Sequence, residues 1–298
     1  MGARVGSAAG TGEELIGKGR AHQGRAGKGS ARMHPLDEPR RATAIRACVF
    51  DLFGTLVPVS RLTDYYGTLA SLSAALGIPE AAFRAEWDAT YRERNDGRLA
   101  TLEDNVRLIC ARLQVRAEDD EIIRGLVPFR ELLRATLRPK PESEEVLREI
   151  AERGYPLGLI SNCNPDVPAV FRAGPLARHF HVALFSSEVG AAKPDARIYA
   201  QMIARLQVEP AACLYVGDGH GREMAGASRA GMVTALLDNG QPDGYIFDRD
   251  ESADHELRNL REVLPLLDAL TVPAALAPPH APSRPQGSAT WSTPAGST

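Results

Sequence analysis

The sequence has few cysteines, no long apolar run and little net charge. Its 298 residues include four cysteines, none of which forms a C-x-x-C pair, and this argues against a zinc site or a disulfide framework. We expect them to be reduced thiols in the cytoplasm; they are Cys48, Cys110, Cys163 and Cys213. No uninterrupted apolar run approaches the roughly 20 residues that a bilayer span needs. The net charge of −3 gives no reason to expect binding to nucleic acid or to an anionic membrane.

The middle of the chain has the composition of a globular protein, and its two ends do not. Overall, 44% of the residues are hydrophobic and 24% are charged, so a sizeable core can form as one large domain or two modest ones. Residues 1–44 are rich in Gly, Ala and Arg, and residues 272–298 are rich in Pro, Ser and Ala. Neither end shows apolar periodicity, and both are predicted to be disordered. Met33 is an alternative start of translation.

Short apolar runs alternate with helical patterns in the rest of the chain. Uninterrupted apolar runs of this length suit strands that are buried on both faces of a parallel sheet. The predicted strands cover residues 47–50, 156–160, 182–185, 213–216 and 232–237. The predicted helices between them cover residues 142–153, 194–206 and 223–230. Pro194 is expected to lie in the first turn of the second of these helices. This alternation predicts a doubly wound α/β core.

Residues 58–140 break the alternation because they contain helical patterns only. The predicted helices cover residues 64–76, 79–94, 101–113 and 118–137. Thr101 and Asp104 form a start that is similar to a capping box. We therefore expect an all-helical domain at 58–140, inserted into a core formed by residues 45–57 and 141–271.

Polar side chains follow the predicted strands and should lie at one edge of the sheet. Ligands of open α/β sheets bind beyond the carboxyl ends of the strands, where Asp51, Ser161, Lys193 and Asp218 are expected to converge. Two carboxylates facing each other can hold Mg²⁺, and an ammonium and a hydroxyl can bind phosphoryl oxygens. Asp51 could then attack in line and form an aspartyl intermediate.

Four short motifs in this region, taken in order, resemble those of the haloacid dehalogenase superfamily. They are Asp51-Leu-Phe-Gly-Thr55, Ser161-Asn162, Lys193-Pro194-Asp195 and Gly217-Asp218 followed by Glu223. Residues 253–267 resemble the family's final strand and helix, so the resemblance covers about residues 44–271. It implies a Rossmann-like hydrolase with a helical cap of the first type, inserted directly after the first motif.

The resemblance also assigns roles to residues of this chain. Asp51 would be the nucleophile of a hydrolase that acts through an aspartyl intermediate. The implied catalytic residues are Asp51, Thr55, Ser161, Asn162 and Lys193. The implied Mg²⁺ ligands are Asp51, the Phe53 carbonyl, Asp218 and Glu223.

Two positions depart from the pattern of the family's phosphatases. Those enzymes carry a second Asp two residues after the nucleophile, which protonates the leaving group and later activates water, and here this position is Phe53. General acid–base help is typically worth about 10²–10⁴-fold, so an efficient phosphatase is in doubt. Glu223 stands where many members have Asp, and its longer side chain can still reach a metal directly or through water.

Three functions are therefore compatible with the sequence. We favour slow, Mg²⁺-dependent hydrolysis of a small phosphorylated metabolite, because carboxylates beside Asp51 need a cation to offset their repulsion. A metal-independent 2-haloacid dehalogenase would explain Phe53, since those enzymes place an aromatic residue nearby. A regulator that binds a phosphorylated ligand without turnover is the third. Arg84, Arg92 and Arg98 suit either an anionic substrate or a solvated helix surface, and His181 and His220 are predicted to be loop or surface residues.

Overall fold

The structure is a computed structural model that describes residues 43–238, 250 and 252–271. The disorder predicted for residues 1–44 and 272–298 therefore lies outside the described residues, apart from residues 43 and 44. None of the helices in this part of the chain is long and apolar enough to cross a membrane.

Six parallel strands form one sheet. In chain order they are β1 (Ala47–Phe50), β2 (Leu157–Ser161), β3 (Val182–Phe185), β4 (Cys213–Gly217), β5 (Val233–Leu237) and β6 (His255–Leu257). Across the sheet the order is β3-β2-β1-β4-β5-β6, and each pair of neighbours is parallel. The five strands predicted from apolar runs are present, with ends that differ by at most one residue. β1 lies in the middle, so its carboxyl end opens at the point where the strand order reverses.

Eleven α-helices are present among the described residues. They are α1 (Leu62–Ala75), α2 (Glu80–Ala89), α3 (Tyr91–Asn95), α4 (Leu102–Arg112), α5 (Asp119–Thr136), α6 (Ser143–Glu152), α7 (Val167–Ala173), α8 (Ser186–Val189), α9 (Ala196–Leu206), α10 (Glu223–Arg229) and α11 (Val263–Leu270). Short 3-10 turns cover Pro175–His179, Pro210–Ala212 and Leu260–Glu262. Helices alternate with strands from β2 to β5, as predicted.

Helices cover both faces of the sheet. The alternation of side chains along β1 shows this, because Cys48 and Phe50 join one buried apolar cluster while Ala47 and Val49 join another. The first cluster includes residues of α6, α7 and α11, and the second includes residues of α9 and α10. The doubly wound parallel sheet predicted from the sequence is thus confirmed.

The described residues between β1 and β2 form helices only. Helices α1 to α5, which we call the helical segment (residues 62–136), enclose an apolar cluster of their own that includes Leu72, Phe83, Trp87 and Leu126. The side chain of Thr101 accepts a hydrogen bond from the Asp104 amide at 3.0 Å, as the capping pattern predicted. The segment therefore has its own apolar core beside the sheet.

Two helix predictions were wrong in detail. The single helix predicted at 79–94 is two helices, divided at Thr90, whose hydroxyl donates to the carbonyls of Glu86 (2.9 Å) and Trp87 (3.1 Å). Such back-bonding by Thr bends helices, and here it separates α2 from α3. Pro194 does not lie in the first turn of α9, because Asp195 caps that helix by accepting from the Arg197 amide.

All four cysteines are buried and unpaired. Burial raises the pKa of the Cys163 and Cys213 thiols to about 12, so that at pH 8 roughly one in 10⁴ of each is ionised. We expect a disulfide reagent such as dithionitrobenzoate to leave the native protein almost unlabelled and to react with four thiols after denaturation. Rapid labelling of the native protein would contradict this burial.

Candidate active site

Asp51 lies directly after the central strand β1 and is 5% exposed. Its amide donates to the Val216 carbonyl on β4 at 2.9 Å, which extends the strand pairing up to the carboxylate. Gly54 then turns the chain with a φ of +82°, a conformation that glycine adopts without strain. The turn brings the Thr55 hydroxyl back to Asp51, where it donates to Oδ2 at 3.1 Å. The local sequence thus fixes the carboxylate in one orientation.

Lys193 brings a buried ammonium to this carboxylate. Its Nζ donates to Oδ1 of Asp51 and to Oε2 of Glu223, and it lies 3.2 Å from the Tyr215 hydroxyl. The loop that carries Lys193 is held by Asn162, which accepts from the Lys193 amide at 2.7 Å and donates to its carbonyl at 2.9 Å. Asn162 therefore positions the lysine through the backbone.

Glu223, at the start of α10, is fully buried behind the lysine. Its Oε1 accepts from the Gly219 amide at 3.0 Å, and its Oε2 accepts from the Tyr215 hydroxyl at 2.8 Å as well as from Lys193. A Cβ at Gly217 would lie 2.1 Å from this carboxylate, so glycine is required at the end of β4. Three donors thus hold Glu223 in place against Lys193.

Asp218 follows β4 as Asp51 follows β1, and it is 2% exposed. The amide of His220 donates to its Oδ1 at 3.1 Å, and the Nδ1 of His220 lies 3.2 Å from the same oxygen. His220 is thus a loop residue, as predicted, yet it contacts a buried carboxylate. Ser161 lies at the end of β2, as predicted, but is fully buried with its hydroxyl beside the Cys163 thiol.

The buried cluster brings three carboxyl groups close together. Asp51, Asp218 and Glu223 each place a carboxylate oxygen within 4.8 Å of the others, and Lys193 is the ammonium between them. The next ammonium, that of Lys140, donates to the Gly54 carbonyl.

The pKa shifts follow from this crowding. Burial raises the pKa of Asp51 and raises that of Glu223 to about 8, and mutual repulsion among the carboxylates adds to both shifts. Burial alone would lower the pKa of Lys193, but Asp51 and Glu223 outweigh it and raise that pKa above its ordinary value. The carboxylates therefore favour a further cation. A divalent ion that prefers hard oxygen ligands fits the donor set of Asp51, Asp218 and Glu223.

A cavity of about 820 Å³ opens above these residues. From the sheet it is lined by Asp51, Phe53, Asn162, Lys193 and Asp218, and from the helical segment by residues that include Tyr65, Tyr91, Arg92, Arg94 and Arg98. Thr55, Ser161 and Glu223 lie behind this lining. Of the three arginines named from the sequence, Arg84 does not line the cavity and stacks on the Tyr66 ring at 3.4 Å.

Sequence reasoning missed Arg94 and Tyr215. Arg94 stands in a run of charged residues, so its burial depends on how α3 packs and has no signal in the sequence. Tyr215 does have a signal, since a phenol in the middle of a buried strand must find a hydrogen-bond partner. Here the partners are Glu223 and Lys193.

Comparisons with known proteins agree with this geometry. Residues 45–231 match the model of the haloacid dehalogenase-like hydrolases. The chain is 28% identical to a glyceraldehyde 3-phosphate phosphatase of Methanopyrus kandleri, over 76% of this chain and 98% of that protein. It is 36% identical to a phosphoserine phosphatase of Thermus thermophilus, over 69% of this chain and 76% of that protein.

A solved structure extends the likeness to another activity. The crystal structure of a 2-haloacid dehalogenase from Pseudomonas syringae pv. tomato matches with a TM-score of 0.56 and 26% identity, over 76% of this chain and 98% of that one. Phosphatases and dehalogenases therefore both occur among its relatives. With a family model that covers more than half of its length, the chain belongs to the haloacid dehalogenase-like hydrolases and is an enzyme of that family.

Proposed function

We propose that this hydrolase is a Mg²⁺-dependent phosphatase that acts on a small phosphate ester through Asp51. The observation that carries the proposal is the buried cluster of three carboxylates, two of which share the Lys193 ammonium. A dehalogenase working without metal would leave these carboxylates next to an anionic haloacid, which they would repel whenever they are ionised. The relatives named as phosphatases support the same choice.

In this proposal Asp51 attacks the phosphorus atom and the bond from phosphorus to the ester oxygen breaks. The leaving oxygen takes a proton from solvent and departs as the alcohol, and water then hydrolyses the aspartyl phosphate, which regenerates Asp51 and releases inorganic phosphate. Lys193 balances the charge of Asp51 and holds the carboxylate in line. Mg²⁺, held by Asp51 and Asp218 with the Phe53 carbonyl and Glu223 as further ligands, would offset the charge on the phosphoryl oxygens.

Phe53 limits this chemistry. The side chain lines the cavity and packs against the core, in the position where the family's phosphatases carry an acid/base Asp. The alcohol must then leave without a proton from that position, so we expect slow turnover on poor leaving groups.

A dehalogenase is the second candidate, and Phe53 is the observation that favours it. An aromatic wall next to Asp51 suits a small apolar haloacid chain, and a solved 2-haloacid dehalogenase shares the fold. Release of halide from 2-chloropropionate in the presence of a chelator, with no hydrolysis of phosphate esters in Mg²⁺, would establish this function instead.

The metal site is tested by Asp218→Asn. We expect Mg²⁺ binding, measured by titration calorimetry, to weaken at least about 10- to 100-fold, because even outer-shell partners of a metal have effects of this size. Asp195→Asn is the matched control, since this carboxylate lines the same cavity but hydrogen-bonds to Arg197. Equal Mg²⁺ affinity in the Asp218→Asn variant and the parent protein would rule out the site.

A further inference from the structure

Arg94 on α3 is a buried arginine in the wall of the cavity. It is 2% exposed, although arginine is almost never buried to this degree unless it is paired. Its Nη1 donates to the Trp87 carbonyl at 2.9 Å and to the Thr90 hydroxyl at 3.1 Å. The guanidinium carbon lies 4.2 Å from the centroid of the Trp87 ring. The side chain is therefore fixed by neutral groups.

Among the described residues, the positive charge of Arg94 has no carboxylate partner. Within the part of the chain that the structure describes, no acidic side chain lies within ion-pairing distance of this guanidinium. Burial lowers the pKa of Arg94. Nearby Tyr65, Tyr91 and Asp88 raise this pKa again in part, and the Asp88 carboxylate does so from beyond ion-pairing distance. A buried charge left unpaired is costly, so an anion bound at this position would stabilise the fold as well as the complex.

Arg94 faces the same cavity as the nucleophile. Tyr91, which also lines it, lies close enough to both Arg94 and Lys193 for their charges to lower its pKa, although burial raises that pKa to about 12 overall. Two of the cations that line the cavity are buried, Lys193 beside Asp51 on the sheet side and Arg94 on the helical segment, whereas Arg92, Arg98, Arg197 and Arg222 are exposed.

We propose that Arg94 binds a carboxylate on the organic part of the substrate, so that the enzyme hydrolyses phosphate esters of hydroxy acids. The proposal rests on the phosphatase function proposed above. The phosphoryl group would lie at Asp51 and the carboxylate at Arg94, at opposite sides of one cavity.

A carboxylate fits this position better than a second phosphate. The planar guanidinium fork matches the two oxygens of a carboxylate, and one guanidinium neutralises one negative charge. Tyr65, whose hydroxyl accepts from Trp87 Nε1 at 2.7 Å, can donate its own proton to the same carboxylate. Arg98 and Arg197, also on the cavity lining, are exposed and paired with Asp96 and Asp195.

The test compares substrates that differ only in the carboxylate. Phosphoserine and phosphoethanolamine form one such pair, and 3-phosphoglycerate and glycerol 3-phosphate form a close second. We expect the parent enzyme to favour the carboxylated member of each pair by roughly 10- to 100-fold in kcat/KM, the effect of a charge-assisted hydrogen bond. In Arg94→Gln, the ratio of kcat/KM between the two members of a pair should fall toward one. Arg94→Lys should give an intermediate ratio, because lysine keeps the positive charge but lacks the planar guanidinium.

Arg84→Gln is the matched control, because Arg84 is also stacked on an aromatic ring of the helical segment but does not line the cavity. Its ratio should equal that of the parent. Hydrolysis of para-nitrophenyl phosphate, which has no carboxylate, reports on the phosphatase chemistry separately. If that ester is hydrolysed and the parent shows no preference within the pairs, the Arg94 subsite is wrong while the phosphatase stands. If Arg94→Gln does not fold, the kcat/KM ratios of the parent and of Arg94→Lys still test the subsite.

Discussion

Asparagine in place of Asp51 is expected to abolish hydrolysis, with kcat lowered by at least about 10⁴-fold, as for other enzymes that lose their nucleophile. Asn has the shape of Asp and can still accept from the Thr55 hydroxyl. It cannot form the covalent intermediate. The effect of the substitution on folding should be small. Burial and repulsion raise the pKa of Asp51, which means that they disfavour its charged form, and a neutral Asn does not carry that cost.

The rates are measured with para-nitrophenyl phosphate in Mg²⁺, and melting temperatures are recorded alongside. Asp96→Asn serves as the control, because this carboxylate lines the cavity but is paired with Arg98 at its edge. Mass spectrometry of acid-quenched enzyme should find the phosphoryl adduct on the peptide with Asp51 in the parent and in the control. A well-folded Asp51→Asn variant that retains most of the parent's rate would contradict the role of this carboxylate.

The arrangement of Asp51 and Asp218 could be predicted because it depends on few steps. Short apolar runs define buried strands, parallel strands end at the same edge of a sheet, and the residue after each run must lie there. The structure brings these side chains together as expected, and Glu223 joins them. Local sequence and sheet topology are sufficient for this part of the site.

The far wall of the cavity could not be predicted in the same way. Which residues of the helical segment face the nucleophile depends on how helices pack, and one division at Thr90 turns α3 relative to α2. Arg92 and Arg94 look alike in the sequence, yet the first is exposed and the second is buried. On the sheet side, the sequence predicted the position of Ser161 at the end of its strand. It did not predict that the Ser161 hydroxyl lies beside the Cys163 thiol.

Phe53→Asp should convert a slow phosphatase into a faster one. The new carboxylate would stand two residues after the nucleophile, where it could protonate the leaving oxygen and then activate water against the aspartyl phosphate. We expect turnover of alkyl phosphates to rise about 10-fold or more, because acid–base help typically supplies about 10²–10⁴-fold and an introduced carboxylate should recover part of it. The parent should strongly favour para-nitrophenyl phosphate, whose leaving group needs no proton, and the variant should favour it less.

Phe53→Asn is the matched control for this gain. Both variants lose the contacts of a half-buried ring with the core, which stabilise the fold by about 1–2 kcal/mol, and both place a polar group in its position. Only the aspartate can transfer a proton. Melting temperatures of the two variants should therefore fall by similar amounts, while the rate on alkyl phosphates should rise in Phe53→Asp alone.

The same pair of variants separates the two candidate reactions. If Phe53 stands in the place of a missing acid, the gain in Phe53→Asp depends on Mg²⁺ and is largest for the poorest leaving groups. If Phe53 instead forms the apolar wall of a haloacid site, the parent releases halide from 2-chloropropionate in the presence of a chelator, and both variants lose that activity equally. A folded Phe53→Asp variant without any gain on phosphate esters, combined with halide release by the parent, would overturn the phosphatase and leave Asp51 as the nucleophile of a dehalogenase.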